Sequence, residues 1–185
     1  RGNIAANQGH LKSAQSHFDE AINIDPTHVR ARLNRASIHM ASGNAQGALD
    51  DANVLLELAP GLALAKVRRA EANMMLTNWD SAKADLEQIV EAAPHHHHAL
   101  TQLAACYISM ERPEKAEAPL NEALRLAPEH TDAWHQRGLL YLDWGREDAA
   151  MNDFEAAVRC DGNHLDARLH IAAIHHEAGR FVEAS

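Results

Sequence analysis

Four of the six prolines in this chain of 185 residues stand at one phase: Pro26, Pro60, Pro94 and Pro128 are 34 residues apart, and Gly162 takes the fifth place. Both residue types stop helices, so a helix is expected to end once in every period. Alanine keeps the same step at Ala14, Ala48, Ala82, Ala116, Ala150 and Ala184, and glycine at Gly9, Gly43, Gly145 and Gly179. A fixed period of this length is the signature of a solenoid, in which each repeat packs only on its neighbours. A non-repeating chain of this size would form one or two globular domains around conventional cores.

The stretch Thr131 to His164 shows the unit most fully. Trp134, Arg137, Gly138, Tyr141 and Trp144 fall at helical spacing and give a first helix with one bulky face. Gly145 suits the left-handed position that ends it. Ala149, Ala150, Phe154, Ala157 and Val158 make the buried stripe of a second helix. Gly138 leaves a gap on the first helix. Ala150 is expected to enter that gap, with Phe154 filling the space below.

The pattern W-x2-L-G-x2-Y…A-x3-F-x2-A…P resembles the tetratricopeptide repeat. It is carried by Trp134, Gly138, Tyr141, Ala150, Phe154 and Ala157, with Arg137 in the leucine place and Gly162 in the proline place. The resemblance runs over the whole chain: an incomplete repeat at 1–28, complete ones at 29–62, 63–96, 97–130 and 131–164, and an incomplete one at 165–185. It implies an all-α, right-handed superhelical solenoid of antiparallel helix pairs, with residues 1–185 as one array.

Composition narrows the partners. A formal charge of −9 disfavours nucleic acid and anionic membrane surfaces, and no apolar run is long enough to span a bilayer. Uncapped solenoid ends leave apolar faces bare and favour self-association. Cys106 and Cys160 fall in different repeats on apolar helix faces, which points to two buried free thiols. No Gly-rich phosphate loop, G-x-S-x-G or H-E-x-x-H is present. No enzymatic activity, cofactor or metal is therefore expected within these residues; a catalytic domain outside them would make this the recognition arm of a larger enzyme.

Several repeats depart from the pattern. Arg32, Arg35 and His39 replace the Trp, Leu and Tyr of the second repeat. Thr77-Asn78 stands where a turn glycine is expected, and Asn78 suits the left-handed conformation. Glu111-Arg112-Pro113 replaces the same turn one repeat later. Pro119, six residues further on, predicts a kink or a loosened first turn. His95 to His98 reads either as a metal patch or as a solvated turn entering a helix, whose successive side chains diverge. His28, His96, His130 and His164 share the last position before each new helix pair.

In this family the first helix of each pair lines the concave surface. Carried over, that places Arg30 and Asn34, then Arg68, Met74 and Met75, then Thr101 and Gln102, then His135 and Gln136, then His170 on the lining. Ala105, Ile108, Leu139 and Asp143 join them. Asn34, Arg68, Gln102, Gln136 and His170 are one period apart and resemble the asparagine ladder of the sugar-transferring enzymes that carry these repeats. Such a ladder would hold an extended protein or peptide by its backbone. Asn3, Asn34, Leu64 and Arg68 match positions at which chaperone-tail-binding repeats grip a terminal carboxylate, with Leu64 in place of a lysine. That resemblance implies a chaperone cofactor with a partial clamp.

Overall fold

The computed structural model describes residues 2–3, 10–177 and 179; Gly9 and Ala184 lie outside them. Among the described residues there are ten α-helices: α1 Leu11–Ile24, α2 Val29–Ala41, α3 Ala45–Leu58, α4 Ala63–Met75, α5 Trp79–Ala92, α6 His97–Ser109, α7 Glu117–Leu126, α8 Thr131–Asp143, α9 Glu147–Cys160 and α10 Leu165–Glu177. The chain divides into two compact units, Arg1–Ile89 and Val90–Ser185. In the first, α1 to α4 pack in sequence order and α2 also touches α4. In the second, α6 to α10 do the same and α6 touches α8. Consecutive pairing with contact between successive first helices is what repeats too small to bury their own faces require.

Each shared phase has a physical cause. Helices α1, α3, α7 and α9 end at non-helical residues, Asp25, Ala59, Ala127 and Asp161, directly before the proline or glycine phase. The histidine phase opens the following helix. His28, His96 and His164 each accept a hydrogen bond at Nδ1 from the backbone N–H three residues on, at 3.3, 3.1 and 3.1 Å. An unprotonated imidazole thus takes the capping role usual for Ser or Asp. The Trp phase secures the same turn: Arg32, Trp134 and Arg168 donate to the carbonyls of Pro26, Pro128 and Gly162, at 2.9, 2.8 and 3.5 Å. In the other two repeats Lys66 donates instead to Gln88 Oε1 at 2.8 Å, and Leu100 has no side-chain donor.

Ala14, Ala48, Ala82, Ala116 and Ala150 are all fully buried, so the alanine phase lies in the packed interior throughout. The gap at Gly138 is filled otherwise than expected. A Cβ there would lie 2.7 Å from Cε1 of Phe154, so the Phe154 ring, and not Ala150, occupies the space. Gly2 and Phe18 repeat this at the other end of the chain, with the same 2.7 Å approach. At the same two phases the intervening repeats carry Ala36 with Ala52, Ala70 with Leu86, and Ala104 with Leu120, all fully buried. A second-helix side chain of full phenylalanine size goes with glycine; a smaller one goes with alanine, as close packing demands.

Buried polar pairs form a further phase. Arg35, Arg69 and Arg137 reach Asp51, Asp85 and Asp153, each 16 residues later, through paired bonds of 2.7–2.8 Å. These aspartates are 1%, 3% and 3% exposed, so each needs its guanidinium. Bonding to the aspartate raises all three arginine pKa values above the ordinary arginine range. In the remaining complete repeat both partners are absent together: Leu103 and Pro119 stand at the two positions. Pro119 also loosens its helix as expected. Pro113–Lys115 forms a 3-10 turn and α7 starts only at Glu117. Pro119 therefore sits in a first turn, where its missing N–H leaves no bond unmade.

The turn after each first helix needs a left-handed residue. Gly43, Gly145 and Gly179 supply it at φ of 76, 67 and 72°. In the two repeats without glycine the position is taken by Thr77 at 59° and Glu111 at 57°. It is thus Thr77, not Asn78, that adopts this conformation; Asn78 instead donates to Asn73 Oδ1 at 3.3 Å and its carbonyl accepts from Ala82. A β-branched residue is poorly suited to positive φ. Thr77→Gly and Glu111→Gly are each expected to stabilise the protein by about 0.5–1 kcal/mol, the relief of strain exceeding the entropy glycine adds to the unfolded chain. Thermal denaturation of the two variants checks this, and a lower Tm in both would refute it.

Candidate functional site

In the second unit, α6 and α8 lie side by side and leave an open cavity of about 610 Å³ between them. Ala105 and Ile108 of α6 and Leu139 and Leu140 of α8 form its apolar walls. Gln136 lines it, and Glu111 and Asp143 bring two carboxylates to it. The Oε1 atoms of Gln102 and Gln136 are both buried without a hydrogen-bond partner among the described residues. An unpaired buried amide oxygen is costly, and an incoming N–H would relieve it. Ala105, Ile108, Gln136, Leu139 and Asp143 were all expected on this surface. Thr101 was too, but it is buried and donates to the His97 carbonyl at 3.0 Å. Glu111 was not expected. Its signal was the turn glycine phase, where a non-glycine residue projects its side chain toward the groove mouth.

His135 and His170 belong to one ring cluster. The His170 ring stacks on Phe154 at 4.9 Å, and His135 lies 5.6 Å from His170 and 4.7 Å from His164. Burial, then the neighbouring His164 and His170, push the His135 pKa below the ordinary histidine value. His130 is lowered too, by burial and by His97 and His98. His97 meets the His130 ring edge-on at 4.9 Å, while His96 caps α6. His98 also approaches the His130 ring, at 6.0 Å, so His97 and His98 converge on one ring while His96 turns away to the cap. Among the described residues no group of three or more His, Cys, Asp or Glu side chains is arranged to hold a metal ion.

In the first unit, Arg30 and Asn34 line a second cavity, of about 460 Å³, together with Asn3 and His17. Asn34 donates from Nδ2 to Asn3 Oδ1 at 2.9 Å, so the two asparagines matched to clamp positions do meet. Arg68 is turned along its own helix to Glu71 at 2.7 Å, and its Nε is buried without a partner among the described residues. Leu64 and Met75 are exposed at 45% and 47%, while Met74 is half-buried. Neither cysteine is in a disulfide; Cys106 is buried, but Cys160, the last residue of α9, is exposed. No helix among the described residues is long and apolar enough to cross a membrane.

Comparison with known proteins agrees with this architecture. Tetratricopeptide repeat family models match residues 1–63, 73–138 and 131–164. A 60-residue stretch is 38% identical to Hsp70-Hsp90 organizing protein 2 of Arabidopsis thaliana, covering 32% of this chain and 10% of that protein. The chain thus spans only a small part of that relative. Among solved structures, TTC0263, a thermophilic TPR protein of Thermus thermophilus, superposes with a TM-score of 0.76 at 22% identity, over 94% of each chain. YrrB, described as a TPR protein with an unusual peptide-binding site, gives a TM-score of 0.72 at 18% identity, over 93% of this chain and 88% of its own. With its period, its paired helices and matches that reach most of its length, the chain belongs to the tetratricopeptide repeat family.

Proposed function

We propose that this protein is a non-catalytic scaffold that binds an extended segment of a partner protein along the first helices of its repeats. The observation that carries the reading is the pair of buried, unpartnered glutamine oxygens, Gln102 and Gln136, one on each helix flanking an apolar cavity. Amide side chains one period apart can pair with a peptide backbone without reading its sequence. His170 continues that phase in the second unit, and Asn34 and Arg68 hold it in the first. His135, Arg30 and Met74 flank these positions, and a methionine adapts to varied apolar partners. The test is a displayed library of random peptides against the whole chain, followed by titration of the best binder. Gln102→Ala with Gln136→Ala is expected to weaken binding by about 1 kcal/mol per side chain; unchanged affinity removes the glutamines from the site.

A second reading, a chaperone cofactor gripping a terminal carboxylate, is favoured by the Asn3–Asn34 contact beside Arg30 and by the likeness to the organizing protein. Leu64 in the lysine place and the engagement of Arg68 by Glu71 count against it. In the same assay, a peptide with a free C-terminus would bind better than its amidated twin only on this second reading.

A further inference from the structure

The cavity between α6 and α8 is chemically one-sided. Its walls are aliphatic, from Ile108, Leu139 and Leu140, and its charged lining residues are both acidic, Glu111 and Asp143. No lysine or arginine among the described residues lines it. Neither carboxylate is paired with a cation among the described residues. Asp143 is the last residue of α8, and Glu111 follows the end of α6. Both helices therefore turn their carbonyl ends, which carry partial negative charge, toward the same mouth. Glu111 is held there by a left-handed backbone, φ 57°, at the phase where Gly43, Gly145 and Gly179 have no side chain at all. The buried oxygen of Gln136 offers the third element, an acceptor that needs an N–H. The cavity's 610 Å³ is of the size that holds a ligand group and not merely solvent.

We infer that the partner segment held here places an aliphatic side chain between Ile108 and Leu139 and a lysine or arginine a few residues away, against Glu111 and Asp143. The aliphatic group removes apolar wall from water. The cation meets two carboxylates and two helix ends, and a backbone N–H of the segment donates to Gln136. An acidic segment would meet like charge from the same four sources and is excluded. This specificity rests on the reading that the first helices bind an extended segment, and it adds the partner's chemistry.

A peptide array that varies each position of a set of short segments through all residue types, probed with the intact protein and with Glu111→Lys/Asp143→Lys, tests it. On the natural protein, spots with an aliphatic residue followed or preceded closely by Lys or Arg should be retained, and added salt should weaken them. Neutralising one carboxylate, by Glu111→Gln or Asp143→Asn, should lower affinity about three- to fivefold. The doubly reversed protein should prefer acidic segments. Circular dichroism of each variant confirms that the helices persist. If the retained spots carry no charge preference, or if reversal leaves the preference unchanged, the inference is overturned. In that case the segment-binding reading still stands where Gln102→Ala/Gln136→Ala weakens those spots. If no segment is retained, both fail.

Discussion

Gly138→Ala is expected to destabilise the protein by about 1–3 kcal/mol, although alanine ordinarily favours a helix over glycine. The added methyl would meet the Phe154 ring at 2.7 Å, and that ring is fully buried and stacked on His170 at 4.9 Å, so it has little room to yield. The same substitution combined with Phe154→Leu should recover much of the loss, since Ala104 with Leu120 already forms a fully buried pair at these two phases. Phe154→Leu alone, opposite the glycine, should leave a cavity and cost stability. Urea denaturation of the three variants measures the coupling. Additive losses, with the double variant worst, would show that the two phases do not exchange volume.

Arg137→Leu is expected to cost more, about 3–5 kcal/mol, because it strands the Asp153 carboxylate in the interior. Asp153 side-chain exposure is 4%, and both its oxygens are bonded by Arg137, at 2.7 and 2.8 Å. Arg137 also donates to Asn121 at 2.6 Å and lies over the Trp134 ring at 4.9 Å, so packing is lost with the charge. Removing both charges, by Arg137→Leu with Asp153→Leu, should be much milder than Arg137→Leu alone. The repeat with Leu103 and Pro119 at these positions shows that the architecture tolerates an apolar pair. If the double variant is as unstable as the single one, packing and not the stranded carboxylate sets the cost.

These two cases also mark where the sequence was legible. The period exposed the helix pairs, their ends and the alanine phase, because proline, glycine and fully buried alanine obey steric rules that scarcely depend on partners. Pro119 and its loosened turn followed from the missing N–H. What escaped is relational. Arg35 and Arg137 looked like departures from a leucine pattern until Asp51 and Asp153, 16 residues away, were found beneath them. The Gly138 gap was visible, but which second-helix side chain fills it depends on how the two helices are phased against each other. Thr77 adopts a backbone that its β-branch resists, because the turn geometry is set by the helices on either side. Cys160 lies on an apolar stripe yet is exposed, since the stripe ends before the last turn of α9. At the candidate site, Gln136, Leu139 and Asp143 were legible from the family's helix order, whereas Glu111 came into view only with the turn's conformation.

The side-chain amide resonances of Gln102 and Gln136 offer the most direct measurement of the central claim. With the best peptide from the library titrated into isotopically labelled protein, both amides should shift in proportion to occupancy, together with backbone amides of α6 and α8. Shifts confined to α7 and α9, with the two glutamine amides unmoved at saturation, would place the partner on the second helices and contradict the account.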